Sequence, residues 1–187
     1  MKMLRQLLIG VTPLLLVAVG CGNESPIRDQ NGATIGTIRI EQSTELRLIV
    51  TVNLTQAPQG EHGLHLHTTG TCEANPNGQT EDDFLSAGGH FNPGNTLHGD
   101  PDFPMHHAGD FGNISVGPDG RGNLVLTTTF LSLDANAPNS AIGRSVILHA
   151  SRDDLTAGDP PNPSYTGFPV GPGPSSPANR IGCGVVR

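Results

Sequence analysis

Alternation of apolar and polar residues with a period of two dominates residues 33–55. The segments ATIGTIRIEQ and ELRLIVTVNLT show this pattern most clearly, and the short gap between them suits a β-hairpin. Further strands are predicted for GEHGLHLH, GNISVGPDGRGNLVLTTTF, RSVILHA and GCGVVR. No segment shows a helical period, and the chain is punctuated by 25 glycines and 16 prolines. The pattern therefore predicts an all-β protein built as an antiparallel sandwich or barrel.

Two stretches are too long for hairpin turns, residues 68–110 and residues 151–181. Loops of this length in a compact domain are usually functional or disordered. The first is rich in histidine, and the second is rich in proline and almost uncharged. We expect both loops to contribute to function.

The first twenty residues have the features of a signal peptide. Lys2 and Arg5 precede an apolar stretch that is too short and too interrupted by proline to span a membrane. The residues AVGC resemble a lipobox, which predicts an exported protein anchored in a bacterial cell envelope by a lipid on Cys21. Ordinary secretion, with Cys21 merely near the cleavage site, is the alternative. Residues 21–32 would then form a tether, and a single domain would occupy residues 33–187.

The charge balance excludes some partners. Without the signal peptide, eight arginines oppose seventeen acidic residues, and the net charge is −9. This charge argues against nucleic acid, and against a membrane partner other than through the Cys21 lipid. No lysine remains, so any local attraction for an anion depends on arginine.

Two cysteines remain once Cys21 is assigned to the lipid, and an exported chain permits their oxidation. We therefore expect a disulfide between Cys72 and Cys183. Two free buried thiols are the alternative.

The eight histidines are the strongest chemical signal in the chain. Residues two apart in a strand share a face, so His65 and His67 can hold one metal ion, while His62 points the other way. An isolated pair of this kind also occurs by chance on exposed strands. His149 ends a predicted strand far along the chain.

A second histidine cluster lies in the first long loop. It consists of three imidazoles and a carboxylate, a set suited to tetrahedral zinc: His90, His98, His107 and Asp110. Solvated loop histidines are the alternative.

Six segments together resemble a known family. HGLHLH, GGHFNP, LHGDP, HHAGDFGN, GRSVILHASRDDL and NRIGCGVV are similar, in order, to the signature segments of copper,zinc superoxide dismutase across roughly residues 33–187. The resemblance implies a Greek-key β-barrel of eight antiparallel strands with two long functional loops. It also implies an enzyme that dismutates superoxide to oxygen and hydrogen peroxide with one copper ion, cycling between Cu(II) and Cu(I), and one zinc ion. The family also allows a homodimer.

The resemblance implies a role for each metal-site residue. The copper ligands would be His65, His67, His90 and His149. The zinc ligands would be His90, His98, His107 and Asp110. The ring of His90 would therefore bridge the two ions.

Further roles follow from the same resemblance. Asp153 would link a copper histidine to a zinc histidine, and Arg180 would receive the anionic substrate beside copper. The Cys72–Cys183 bridge would pin the first long loop to the last strand. His62 would have a structural role, whereas His106 has no counterpart and is expected to be solvated.

One departure from the family affects the second long loop. Between Leu155 and Asn179 the only charged residue is Asp159, so electrostatic steering of substrate would be weak. The competing hypothesis is a lipoprotein that binds or delivers copper without catalysis.

Overall fold

The computed structural model describes residues 23–44, 46–74, 83–155 and 180–187. Eight strands lie in these ranges: β1 (Ser25–Arg28), β2 (Thr34–Thr44), β3 (Arg47–Leu54), β4 (Gly60–His67), β5 (Asp110–Val116), β6 (Gly122–Thr128), β7 (Ser145–His149) and β8 (Arg180–Val185). The helical structure within these ranges is one 3₁₀ turn, Leu85–Ala87. No helix in the described part is long and apolar enough to cross a membrane. The predicted signal peptide, Cys21 and most of the second long loop lie outside the described residues.

The strands form one antiparallel sheet in the order β5-β4-β7-β8-β1-β2-β3-β6. The two end strands, β5 and β6, pack against each other, so the sheet is a nearly closed barrel. The neighbours β3–β6 and β4–β7 are not consecutive in the chain, which is Greek-key connectivity. The predicted all-β, eight-stranded antiparallel fold is confirmed.

The core follows directly from the period-two pattern. Strand β3 has Val50 and Val52 fully buried, and they pack with Ile38 and Ile40 of β2. Burying an aliphatic side chain of this size contributes about 1.5–3 kcal/mol. The barrel interior thus comes from alternate residues of each strand.

Strand β7, and strand β4 from His62 onward, are buried on both faces. In β4, Leu64 and Leu66 face the core, and the alternate residues His65 and His67 lie on the opposite face under other parts of the chain. All five residues of β7 are likewise buried. A strand with two covered faces places its outer histidines in a site shielded from water.

The folded domain begins earlier than predicted. Ser25–Arg28 lies in the segment expected to be a tether, yet it forms β1, pairs with β2 and meets β8 where Arg28 lies opposite Cys183. The fully buried Ile27 is the only apolar side chain of the strand other than Pro26. One isoleucine between a proline and an arginine gives no visible alternation, so the sequence pattern misses this strand.

Candidate metal centre

The first long loop returns to β4 through backbone hydrogen bonds. Leu66 N–H donates to Gly109 O at 2.8 Å, and Phe91 N–H donates to Leu66 O at 2.8 Å. A Cβ at position 109 would lie 2.3 Å from Leu66 O, so the close approach requires glycine. The same contact region pairs His67 with His90 in an isolated bridge. The loop is thereby held with His90 directly beside the histidines of β4.

The first cluster contains four histidines that each offer a nitrogen within 4.8 Å of the others: His65, His67, His90 and His149. The nitrogens His65 Nδ1, His67 Nε2 and both ring nitrogens of His90 and His149 are buried without a hydrogen-bond partner among the described residues. Buried polar atoms normally have partners, and an imidazole nitrogen without one is a natural metal ligand. Imidazole sets of this kind suit copper and zinc.

The second cluster surrounds one oxygen of Asp110. Its Oδ1 atom lies 3.2 Å from His90 Nδ1, 3.1 Å from His98 Nδ1 and 3.3 Å from His107 Nδ1. Ligands bound to zinc at about 2.0–2.1 Å in a tetrahedron lie roughly 3.3–3.4 Å apart. None of these four atoms has a hydrogen-bond partner among the described residues. The donor set and its spacing therefore fit zinc.

His107 is the better fourth member of this cluster than His65. A group of His65, His90, His98 and Asp110 is also close enough to share one ion. However, His65 Nε2 donates to Asp153, which leaves His65 only Nδ1 for the first cluster. His107 Nδ1 has no such competing contact in the described structure.

His90 belongs to both clusters. Its ring stacks on His65 with 3.9 Å between the centroids. Burial, followed by the electrostatic influence of the neighbouring His65, lowers the pKa of His90 to about 3. Burial also lowers the pKa of His67 and His149 well below the usual value, with Arg180 adding to the effect at His67 and His65 adding to it at His149. These rings are therefore neutral near pH 7, as ligation requires.

The second cluster has the opposite electrostatics. Burial lowers the pKa of His98, but contacts with Asp110 and Asp153 outweigh this and raise it to about 10. Burial raises the pKa of Asp110, but the surrounding rings of His107, His90 and His98 bring it far below its usual value. In the absence of metal, this cluster holds a carboxylate against an imidazolium.

Asp153 connects the two clusters, because its carboxylate contacts one histidine of each. Its carboxylate accepts a hydrogen bond from His65 Nε2 at 2.6 Å and one from His98 Nε2 at 3.0 Å. Burial opposes ionisation, but the contacts with His65 and His98 hold the pKa of Asp153 below its usual value. The side chain is 1 % exposed, so both rings are fixed by one buried carboxylate.

Arg180 begins β8 beside the first cluster. It donates to Phe84 O at 2.6 Å and to Gly88 O at 2.7 Å, and Gly88 O also accepts from His67 Nδ1 at 2.8 Å. The residue is 6 % exposed, and burial lowers its pKa to about 10. The guanidinium is thus held next to His67 by shared backbone carbonyls. Sequence reasoning missed these carbonyls because main-chain acceptors leave no sequence signal.

The predicted disulfide is confirmed. Cys72 and Cys183 are bonded, with 5.6 Å between their Cα atoms and a sequence separation of 111. The bridge attaches the first long loop to β8, three residues after Arg180.

The remaining histidines have different environments. The ring of His62 lies between two backbone carbonyls, with Nδ1 2.8 Å from His149 O and Nε2 2.9 Å from Pro58 O. The prediction of a solvated His106 is wrong. Its side chain is 4 % exposed, donates to His107 O at 2.6 Å and lies against the ring of Phe130. The sequence does not reveal that Phe130, from a distant turn, covers this ring.

Comparison with known proteins identifies the family. Residues 34–186 match copper/zinc superoxide dismutase (SODC). The chain is 35% identical over 162 residues to an extracellular superoxide dismutase [Cu-Zn] of Brugia pahangi, which covers 86% of this chain and 72% of that protein. The chain therefore belongs to the copper/zinc superoxide dismutase family.

Solved structures agree with this assignment. A SOD-like protein from Bacillus subtilis is 28% identical, with a TM-score of 0.68 over 89% of this chain and 99% of that one. A double mutant of a SOD-like protein from the same organism is 30% identical, with a TM-score of 0.67 over 88% of this chain and 97% of that one.

Proposed function

We propose that the chain dismutates superoxide, converting two superoxide anions and two protons into oxygen and hydrogen peroxide. The supporting observation is that His90 belongs both to the four-histidine cluster and to the cluster around Asp110 Oδ1, and that the ligand atoms of both are buried and unpartnered among the described residues. In this proposal His65, His67, His90 and His149 hold copper, and His90, His98, His107 and Asp110 hold zinc. Copper would supply the one-electron redox chemistry that both half-reactions need, because zinc has none.

His90 is the proposed proton carrier. Its Nδ1 faces Asp110 in the second cluster, whereas its Nε2 is the nitrogen left for the first. A proton held at Nε2 would lie beside the anion that Arg180 receives. Asp153 and the stack of His65 on His90 keep the rings in position while this proton is gained and lost.

Arg180 is the proposed substrate-binding group. The chain after the predicted signal peptide has a net charge of −9, so a small anion needs a local positive group. Arg180 donates to two carbonyls and has no carboxylate contact among the described residues. Its charge therefore remains available to superoxide.

The proposal also covers where the protein is located and whether it forms a dimer. The disulfide and the extracellular relative support an exported protein. We assign residues 1–20 to a signal peptide and Cys21 to a lipid anchor in the bacterial envelope. The homodimer likewise remains a proposal.

The test combines a superoxide-decay assay with metal analysis of the purified full chain. Wild-type protein should contain one copper and one zinc per chain and accelerate superoxide decay. His149→Ala should lose copper and activity. Arg180→Ala should keep both metals and lose roughly tenfold or more in kcat/KM, the effect of about 1.4 kcal/mol of lost transition-state binding.

Arg121→Ala is the matched control, because Arg121 is a largely exposed arginine in the turn between β5 and β6, beyond the end of β5 opposite to Asp110. It should leave the rate unchanged. Full activity in His149→Ala would refute the proposed copper site. Binding of both metals without turnover by the wild type would instead support the copper-binding alternative.

A further inference from the structure

Asn113 makes an unusual double contact with the backbone of Asp153. Its Nδ2 donates to Asp153 O at 2.9 Å, and Asp153 N–H donates to Asn113 Oδ1 at 2.7 Å. The side-chain amide of Asn113 therefore pairs with both the backbone N–H and the backbone carbonyl of Asp153. Asn113 is partly buried in β5 and belongs to neither ligand cluster.

The position opposite Asn113 is adapted to the same contact. Asn113 pairs with Gly63 of β4. Gly63 N–H donates to Ser151 O at 2.9 Å, and a Cβ on Gly63 would lie 3.2 Å from Asp153 Cβ. The missing side chain lets the segment 151–153 lie directly on the sheet. Gly63 thus provides the space, and Asn113 provides the attachment.

Fixing this backbone fixes the carboxylate. From its Cα, Asp153 must reach His65 Nε2 at 2.6 Å and His98 Nε2 at 3.0 Å simultaneously. Only two side-chain torsions remain once the backbone is held, and Oδ1 also accepts from Leu155 N–H at 2.9 Å. A displacement of the backbone by an ångström would break at least one of the two histidine contacts.

We propose that Asn113 is a positioning residue for the metal centre, acting through Asp153 on the orientation of His65 and His98. This inference rests on the zinc site of the proposed function. Asn113 also begins an Asn-Ile-Ser sequon at residues 113–115, but its Nδ2, the atom that a glycan would occupy, is already hydrogen-bonded to Asp153 O.

The experiment measures zinc affinity of the full chain by competition with a chromophoric chelator. The variants are Asn113→Ala, Asp153→Asn and the double variant. Removing a residue that orients a ligand typically costs 10–100-fold in metal affinity. The loss of zinc affinity in Asp153→Asn should fall in that range, and Asn113→Ala should lose about tenfold in zinc affinity. The double variant should have the same zinc affinity as Asp153→Asn. The visible spectrum of cobalt bound in place of zinc should change in each.

Asn123→Ala is the matched control, because Asn123 also bonds across strands, to Asn53 Oδ1 at 2.6 Å, but touches no ligand. It should leave zinc affinity and the cobalt spectrum unchanged. Asn113→Asp keeps the acceptor and loses the donor, so it should also weaken zinc binding if Asn113→Ala fails to fold. Two results would overturn this inference but leave the proposed zinc site standing. One is wild-type zinc affinity in the Asn113 variants, and the other is a weaker zinc affinity in the double variant than in Asp153→Asn. A wild type that binds no zinc would overturn the proposed zinc site as well.

Discussion

Breaking the Cys72–Cys183 bridge should cost a large part of the stability of the domain. The bridge closes a loop of 111 residues. In the chain-entropy account, a loop of this length reduces the entropy of the unfolded chain by about 16 cal/mol/K, or about 4.8 kcal/mol at 25 °C. Many single domains have only about 5–15 kcal/mol of stability in total.

The assay is urea unfolding of metal-free protein, with and without a thiol reductant. The free energy of unfolding should fall by about 4–5 kcal/mol on reduction. Cys72→Ala combined with Cys183→Ala should show the same loss plus a small cavity cost at Cys183, which packs beside Ile147 and Phe84. The variant is also the control, because reductant should not affect it further.

A loss below about 1 kcal/mol on full reduction would refute this reasoning, since it would mean that the bridge hardly restricts the unfolded chain. In a separate assay on metal-loaded protein, superoxide-dismutating activity that survives reduction of the bridge would show that the bridge is not needed to hold Arg180 in place.

Three further predictions concern the site and the core. Zinc uptake by metal-free protein should release about one proton at pH 7.5, because His98, with its pKa raised to about 10, must lose a proton to bind. Calorimetry in buffers of different ionisation enthalpy measures the number of protons released. Zinc affinity should therefore rise with pH up to about 10, and a falling affinity would contradict the assigned charge state. His62→Ala should lower stability by about 1–3 kcal/mol, because it removes the ring that lies between the carbonyls of His149 and Pro58 and leaves a buried carbonyl without its donor, while metal content stays intact. Leu66→Ala should cost about 2–5 kcal/mol in chemical unfolding, because Leu66 is fully buried in the barrel core, and a cost below 1 kcal/mol would mean that the core is loosely packed there.

Sequence reasoning performed well where a local pattern carries the information. The alternation in β2 and β3 predicts their pairing, and the spacing of His65 and His67 predicts their common face. The predictions failed where a contact with a residue distant in the sequence determines the local structure. β1 becomes a strand because β2 and β8 flank it, and His106 is buried because Phe130 covers it.

The role of Asn113 was likewise invisible in the sequence. A sequon on a strand gives no sign that its amide meets the backbone of Asp153, forty residues later in the chain. That meeting depends on the antiparallel register of β4 and β5 and on a glycine that leaves the space open.

The central claim is that His90 is shared by two metal ions of different kinds. The most direct test is a crystal structure of the metal-loaded protein in its oxidised, Cu(II) state, with anomalous scattering recorded at the copper and zinc absorption edges. The account predicts a copper peak beside His149 and a zinc peak beside Asp110, with the ring of His90 between them. One peak alone, or two peaks with His90 bound to neither or only one, would contradict it.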